Sequence, residues 1–437
     1  MGDAAVMRDV RRNVLRLRHA LVAPHHTACH DVGTNRVTNE RAAMPFTMRP
    51  TPVTDDLALV LGGGGARGAY QAGLLRAIAR RYPHLRIPIL VGVSAGAVNT
   101  IHLASHRGTF EESTDQLVRH WLSMTPEQVY RVDARSLLTG VIRSGYGLVS
   151  GDPGERERVR GMVDTAPLRA FLERTLERDE SGALPGIRYN LERGTLHAAA
   201  LTATSYTSGM SVTWVEGRRP FEWERPQRKS VMTRLNVDHV MASAALPIFF
   251  PAERVGAEWY GDGGVRLTAP LSPALHLGAS RIITISTRSR GHRPATALDP
   301  NEYPPPAQIL GTLYNAVFLD VIDQDVVRMN MINQLVQRIP EERRSGMRVI
   351  DILVLRPSID LGQLAREYEP RLPRVFRFLT RGLGTRKSAS PDILSLVMFQ
   401  EDFLRRVIAL GEEDAEQHAT HLAEFLEAGG GAPSVGA

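Results

Sequence analysis

Leu57-Ala-Leu-Val-Leu61 runs straight into Gly62-Gly-Gly-Gly-Ala-Arg67-Gly68-Ala-Tyr70, and Ile87-Pro-Ile-Leu-Val91 runs into Gly92-Val-Ser94-Ala-Gly96. Each is an apolar, strand-like stretch that ends in a glycine turn and opens a helix. Glycine admits backbone angles that a Cβ forbids, so such turns can be tight. The second has the Gly-x-Ser-x-Gly form of a nucleophile elbow, a strand-to-helix turn that exposes the serine hydroxyl. Ser94 is therefore a candidate nucleophile, with Gly92 and Gly96 as its turn glycines. The upstream loop offers backbone N–H groups for a developing oxyanion. A nucleophile and a donor loop this close in sequence point towards an acyl hydrolase.

Other readings of the same glycines exist. Gly63-x-Gly65-x-x-Gly68 also fits the dinucleotide fingerprint, which requires an acidic residue about 20 positions on to hold a ribose. No Asp or Glu occurs between Leu57 and Phe110. A P-loop needs Lys-Ser or Lys-Thr after its glycines, and neither follows. A pair of plain strand-to-helix turns would produce similar runs. A nucleotide-binding or regulatory module on Gly62–Gly68 stays open as an alternative, as does an esterase or thioesterase acting on something other than phospholipid.

A third motif, Tyr260-Gly261-Asp262-Gly263-Gly264-Val265, follows an Ala-rich helical stretch (Met241 to Leu246), a Pro-Ile-Phe-Phe-Pro segment and a short strand around Glu258 to Tyr260. In isolation Asp-Gly-Gly is ordinary turn chemistry. In this order, with Ala242-Ser-Ala-Ala-Leu-Pro247 before the Asp and the stretch from Pro270 to Arg281 after it, the motifs resemble the patatin-like phospholipase family. The resemblance runs from about Leu57 to Thr287. It implies a three-layer α/β/α fold with a mainly parallel central sheet, and a Ser–Asp dyad that works without histidine. Ser94 matches the nucleophile and Asp262 the base. Gly63, Gly64 and Gly65 match the oxyanion loop, Arg67 its basic position, and Gly263 and Gly264 the turn after the base. Position 62 is glycine where plant patatins carry an acid, and the glycines that would bind the oxyanion are intact.

The resemblance thus implies a phospholipase A or lysophospholipase type of activity on a lipid ester; a lipid substrate implies peripheral membrane contact, and no cofactor or metal is expected, because neither step needs a Lewis acid and the sequence offers no ligand cluster. A free Asp titrates near 4, so Asp262 needs a site that tunes it before it can act as a base. Arg67 has a plainer alternative, a surface cation beside a turn. A conventional hydrolase triad runs Ser, acid, His. After Asp262 the histidines are His276, His292, His418 and His421, and none carries the turn chemistry of a catalytic base.

The chain has 437 residues, 43% of them apolar, enough for a large core. It lacks a run of about 18 apolar residues, so no transmembrane helix is expected, and no secretory signal is recognisable. A cytoplasmic or peripheral-membrane protein is expected. One cysteine, Cys29, excludes an internal disulfide framework. Lys229 and Lys387 are the lysines among 53 basic residues, a bias that reads as genome composition. Residues 1–50 carry eight Arg against four acidic residues and are expected to form a basic disordered tail, or a leader upstream of a start at Met44 or Met48. Arg8 to Arg18 is a candidate patch for anionic lipid. No recognition motif supports nucleic acid. His25-His26-x-x-Cys29-His30 lacks a second ligand cluster for zinc.

Residues 51–360 are expected to form the catalytic domain, 361–427 a helical C-terminal extension and 428–437 a flexible tail. Thr109 to Tyr130 reads as a helix, 139–160 as a loop, and Leu196–Ser205 with Met210–Val215 as a hairpin. Trp214, Phe221 and Trp223 are candidates for an acyl pocket or for ordinary packing. After a Pro-rich connection at 288–306, Ala307 to Arg338 reads as one long helix and Val349 to Leu355 as a last core strand. A basic stretch from Arg371 to Lys387 precedes two further helices, Asp392 to Leu410 and Glu412 to Leu426.

Overall fold

β1 (Leu57–Leu61) and β2 (Ile89–Val93) are apolar almost throughout, and every residue in them is buried. Strands of that kind need cover on both faces, the situation of a parallel sheet. The computed structural model describes residues 56–131, 161–289, 306–371 and 392–428, and it sets both strands in the middle of a 10-stranded sheet. The sheet runs from β10 (Asp351–Leu355) through β9 (Arg281–Ile285), β1, β2, β3 (Ala198–Ser205), β4 (Ser211–Gly217) and β6 (Arg228–Met232) to β5 (Glu224–Arg225). From β10 to β3 all neighbours are parallel. β3 and β4 form the antiparallel hairpin expected from the sequence. β8 (Glu258–Asp262) pairs antiparallel with β3 and with β7 (Glu253–Val255).

Alternation along the strands builds the layers. Leu57, Leu59 and Leu61 face one apolar cluster with Leu90, Leu201, Ile283 and Ile285. Ala58 and Val60 face a second with Ile89, Val91, Ala200 and Ile282. A side chain alternates sides at each strand residue, so the two clusters lie on opposite faces. The first is covered by α1 (Gly68–Arg81), α2 (Ala95–Ser105) and α3 (Phe110–Ser123), together with C-terminal helices. The second is covered by α8 (Ser272–His276) and α10 (Val321–Gln337), through Ala274 and Met329. Smaller helices complete the frame: α4 (Pro126–Val129), α5 (Ala166–Thr175), α6 (Pro185–Arg193) and α7 (Val237–Ser243).

Several expectations change in detail. The long helix over 307–338 is interrupted: α9 (Pro306–Tyr314) passes through a π-helical turn at Asn315–Leu319 before α10 resumes. Such a turn inserts an extra residue per turn and often marks a functional segment. The helix expected from Asp392 to Leu410 is two helices, α12 (Asp392–Val397) and α13 (Glu401–Gln417), and the last, α14, spans Ala419–Ala428. Apolar spacing continued across the break because Met398 and Phe399 are buried outside any helix. Trp214, Phe221 and Trp223 do not share a pocket. Trp214 packs against His239 and Tyr260, whereas Trp223 stacks on His276 with Phe221 nearby in the cluster of the other face. The expectations for residues 1–50, for His25, His26, Cys29 and His30, for 139–160, for most of the Pro-rich connection, for 372–387 and for the final tail lie outside the described residues.

The C-terminal helices share the main core. Phe403, Leu404, Val407 and Ile408 of α13 sit among Leu74, Leu75 and Ile78 of α1. Gly73 on α1 lets the two helices touch, since a Cβ there would overlap the Ile408 carbonyl. α11 (Leu361–Tyr368) begins at an Asp360 cap that accepts from the Gly362 and Gln363 N–H groups. Replacing Gly73 by Val is expected to force α13 off α1 at a cost of about 1–3 kcal/mol. Thermal denaturation checks it: an unchanged melting temperature would mean that the contact is not needed.

Candidate active site

One edge of β3 builds the site. β4 occupies the other edge, from Ala198 to Thr204. On the free edge β2 pairs as far as Val93 opposite Thr202, and β8 takes over with Asp262 opposite Ala203. Ser94 follows Val93 directly, so two adjacent β3 positions bring the serine and the aspartate side by side from strands far apart in sequence. Gly263 completes the junction: it packs on the Thr202 carbonyl and the Val93 side chain.

Ser94 has φ 57 and ψ −126, a positive φ that non-glycine residues seldom adopt. A strained residue persists only when its surroundings over-determine it. Here the Ser94 N–H donates to the Ser243 hydroxyl at 3.0 Å, and that hydroxyl donates to the Thr202 carbonyl at 2.7 Å. Gly92 and Gly96 lie against each other, and Gly96 also lies against the Leu61 carbonyl, which draws α2 in close to the head of β1.

Asp262 is fully buried. Its Oδ1 accepts the Gly264 N–H at 2.9 Å, while Oδ2 has no hydrogen-bond partner among the described residues. Burial pushes its pKa up to about 7, against the opposing influence of the Ser94 hydroxyl and the Gly264 N–H. The Ser94 hydroxyl is thus near enough to influence the carboxylate, although Oδ2 has no hydrogen-bond partner among the described residues. Tyr206 lies over Gly261 and Phe318 over Gly264. Asp262 contributes to raising the pKa of Tyr206 and of Tyr314, after burial.

The glycine loop faces the same point. A Cβ on Gly63 would stand 3.0 Å from the Ser94 Cβ and 3.5 Å from its Oγ. Gly64 and Gly65 have φ values of 151 and 53, which only glycine takes readily. The Gly62 carbonyl accepts from the Gln71 side-chain amide at 2.9 Å, and the Gly63 carbonyl from the Thr287 hydroxyl at 2.9 Å. In a planar trans peptide the N–H points opposite to the C=O, so these bonds turn the Gly63 and Gly64 N–H groups away from their braces. Asn99 extends the support: it donates to Gln71 at 2.9 Å and to the Gly68 carbonyl at 3.0 Å, and accepts from the Trp121 indole at 2.8 Å.

Arg67 sits in the 3₁₀ turn that ends this loop, but its side chain points elsewhere. It is 2% exposed, which excludes the surface-cation alternative. The guanidinium bonds Asp392 at 2.5 Å, Ser395 at 2.7 Å and the Thr287 carbonyl at 3.3 Å. Gln71, Asn99, Trp121, Thr287 and Asp392 carry no motif of their own, and sequence reading passes over them. Ser243 falls inside the quoted Ala242–Pro247 stretch, which is its one sequence signal. Three of the described histidines are engaged elsewhere: His102 with the Ser113 carbonyl, His239 at the Asn236 helix cap and His276 on Trp223. Ser243→Ala would strip the buried Ser94 N–H of its acceptor, costing about 1–3 kcal/mol. A melting temperature equal to wild type would mean that another acceptor replaces it.

Comparison with known proteins bears on the same span. The sequence model of the family described as Patatin-like phospholipase matches residues 59–275, from β1 into α8. No curated protein matches the chain. Among solved structures the chain is similar to VipD from Legionella pneumophila, with 12% identity, TM-score 0.29, and 82% of this chain and 68% of that one covered. It is also similar to human GIVD cytosolic phospholipase A2, with 11% identity, TM-score 0.44, and 86% and 60% covered. The human enzyme in complex with methyl gamma-linolenyl fluorophosphonate gives 12%, 0.41, 86% and 59%. The chain therefore spans about three-fifths of the length of the human enzyme. Overlap that loose adds nothing to the family match, which stands on its own. Residues 59–275 therefore form a patatin-like phospholipase domain.

Proposed function

We propose that the protein is a lipid acyl hydrolase of the phospholipase A or lysophospholipase type, working through an acyl-enzyme on Ser94. The observation that supports this most is the strained serine beside a fully buried carboxylate with one unpartnered oxygen. Ser94 Oγ attacks the ester carbonyl while Asp262 takes its proton. The tetrahedral oxyanion is held by N–H groups of Gly63, Gly64 and Gly65. As the carbon–oxygen bond to the alcohol breaks, Asp262 returns the proton to the leaving oxygen. A water then attacks the acyl-enzyme, giving its proton to Asp262, and Ser94 recovers it as the fatty acid leaves. Burial supports the base role, because a carboxylate with a pKa near neutrality accepts a proton far better than one at 4.

Exposed apolar side chains next to these elements support peripheral contact with a lipid surface: Tyr206, Ile248, Trp259, Val265 and Leu313. Nucleotide binding gains no support, since Arg67 is neutralised by Asp392 and turned away from the glycines. Nor does any group of His, Cys, Asp and Glu suited to a metal occur among the described residues.

Labelling with a fluorescent fluorophosphonate tests the reading. Wild type is expected to react, Ser94→Ala to stay dark, and Asp262→Asn to lose about three to four orders of magnitude in ester hydrolysis. Full activity in Ser94→Ala would overturn the proposal. Because Asp262 acts as the ionised base, kcat/KM is expected to rise with pH and level off above about 7. A profile flat from pH 5 to 9 would exclude Asp262 as that base.

The same raised pKa has a consequence for stability. The folded state holds the Asp262 proton more tightly than the unfolded chain, so stability falls as pH rises from about 4 to about 7 and then levels off. Asp262→Asn removes that loss and should be more stable than wild type at pH 8, by at most roughly 4 kcal/mol. The gain should vanish towards pH 4. Denaturant titrations at both pH values measure it, and equal differences at both would show that ionisation is not the cause.

A further inference from the structure

We infer that Asp392, on a C-terminal helix, is a positioning residue for the glycine loop, which makes the C-terminal helices part of the hydrolytic apparatus. This rests on the reading of Gly63–Gly65 as oxyanion donors. α12 meets the loop at two points. Gly65 lies against the Leu396 carbonyl, so closely that a Cβ would overlap it. Two residues on, Arg67 forms a buried ion pair with Asp392 at 2.5 Å, and its Nε donates to the Ser395 hydroxyl at 2.7 Å. Ser395 in turn donates to the Asp392 carbonyl at 2.5 Å, so the pair is fixed within one turn of helix.

The second carboxylate oxygen of Asp392 reaches the other half of the site. It accepts from the Asn315 side-chain amide at 2.6 Å. Asn315 opens the π-helical turn, and Phe318 in that turn covers Gly264, two residues after Asp262. One carboxylate therefore joins the loop that faces Ser94 to the segment that covers the Asp-Gly-Gly turn. An ion pair this deeply buried is seldom a net source of stability, because desolvation offsets the attraction. It does impose direction: a guanidinium with a fixed partner at each edge holds the backbone that carries it. The loop needs such a hold, since glycines supply no side-chain packing of their own.

The test separates positioning from stability. Wild type, Asp392→Asn, Asp392→Glu and the double variant Arg67→Met/Asp392→Leu are compared in hydrolysis of p-nitrophenyl butyrate. Fluorophosphonate labelling supplies both the fraction of reactive sites and the rate per site, and melting temperature reports stability. Asp392→Asn is expected to lower kcat about 10- to 100-fold, the scale of a displacement of about 1 Å at a site, with the labelling rate falling in parallel. KM should stay within about twofold, since ground-state binding is untouched. Asp392→Glu should recover part of the loss. The double variant leaves no buried charge unpaired, so it should regain melting temperature without regaining kcat.

Wild-type kcat in the double variant would overturn the inference, as would Asp392→Asn that loses reactive sites but keeps its rate per site. Should the double variant fail to fold, equal kcat in Asp392→Asn, Asp392→Glu and wild type would overturn it as well. Folded wild type that neither hydrolyses nor labels would instead overturn the hydrolase reading, and this inference with it.

Discussion

The site depends on a division of one strand edge. β3 is paired by β4 from Ala198 to Thr204 on one side, and its other side is shared between a strand that stops and a strand that arrives. Hydrogen-bond register is discrete, so a slip of one residue would turn every side chain to the opposite face. Val93 opposite Thr202 and Asp262 opposite Ala203 thus fix the relation of Ser94 to its carboxylate as firmly as the sheet itself. Neither residue depends on a loop to find the other.

A buried acid is the cost of that arrangement. Asp262 lies between the Gly264 N–H and the serine, and nothing cationic is among the influences that set its pKa. A neighbouring cation would stabilise the charged form and depress its basicity. Arg67, two residues after Gly65, is paired with Asp392. The strain held at Ser94 has to be offset elsewhere in the fold, which has a large core in which α1 and α13 pack backbone to backbone. Sites commonly hold strain and unfavourable ionisation that the rest of the fold must offset.

The polar braces work differently from the core. Gln71, Asn99 and Trp121 form a fully satisfied chain under the glycine loop, and Thr287 holds it from the end of β9. Such networks specify geometry more than they add stability, because each member must be paired or its burial becomes costly. The loop is thereby held by carbonyls tied back on one side, with its N–H groups left to face the other.

Much of this was legible in the chain. Apolar runs ending in Gly62–Gly65 and in Gly92-x-Ser94-x-Gly96 mark strand-to-helix turns, because Gly64 and Gly65 take positive φ and a Cβ at Gly92 or Gly96 would overlap its neighbours. The order of the three motifs carried the family, and the Leu196–Val215 hairpin followed from local turn chemistry. What lay beyond local sequence is of another kind. The burial that raises the Asp262 pKa, the turn of Arg67 onto Asp392 and the break of the 307–338 helix at Asn315 are set by residues hundreds of positions away or by packing around them. Periodicity reports which face of a segment is buried, not against what, and a charge in the sequence has no partner until the fold provides one. The sequence by itself determined the turns and the identity of the groups that meet; tertiary structure decided their ionisation, orientation and support, because those depend on dielectric surroundings and on contacts between distant parts of the chain.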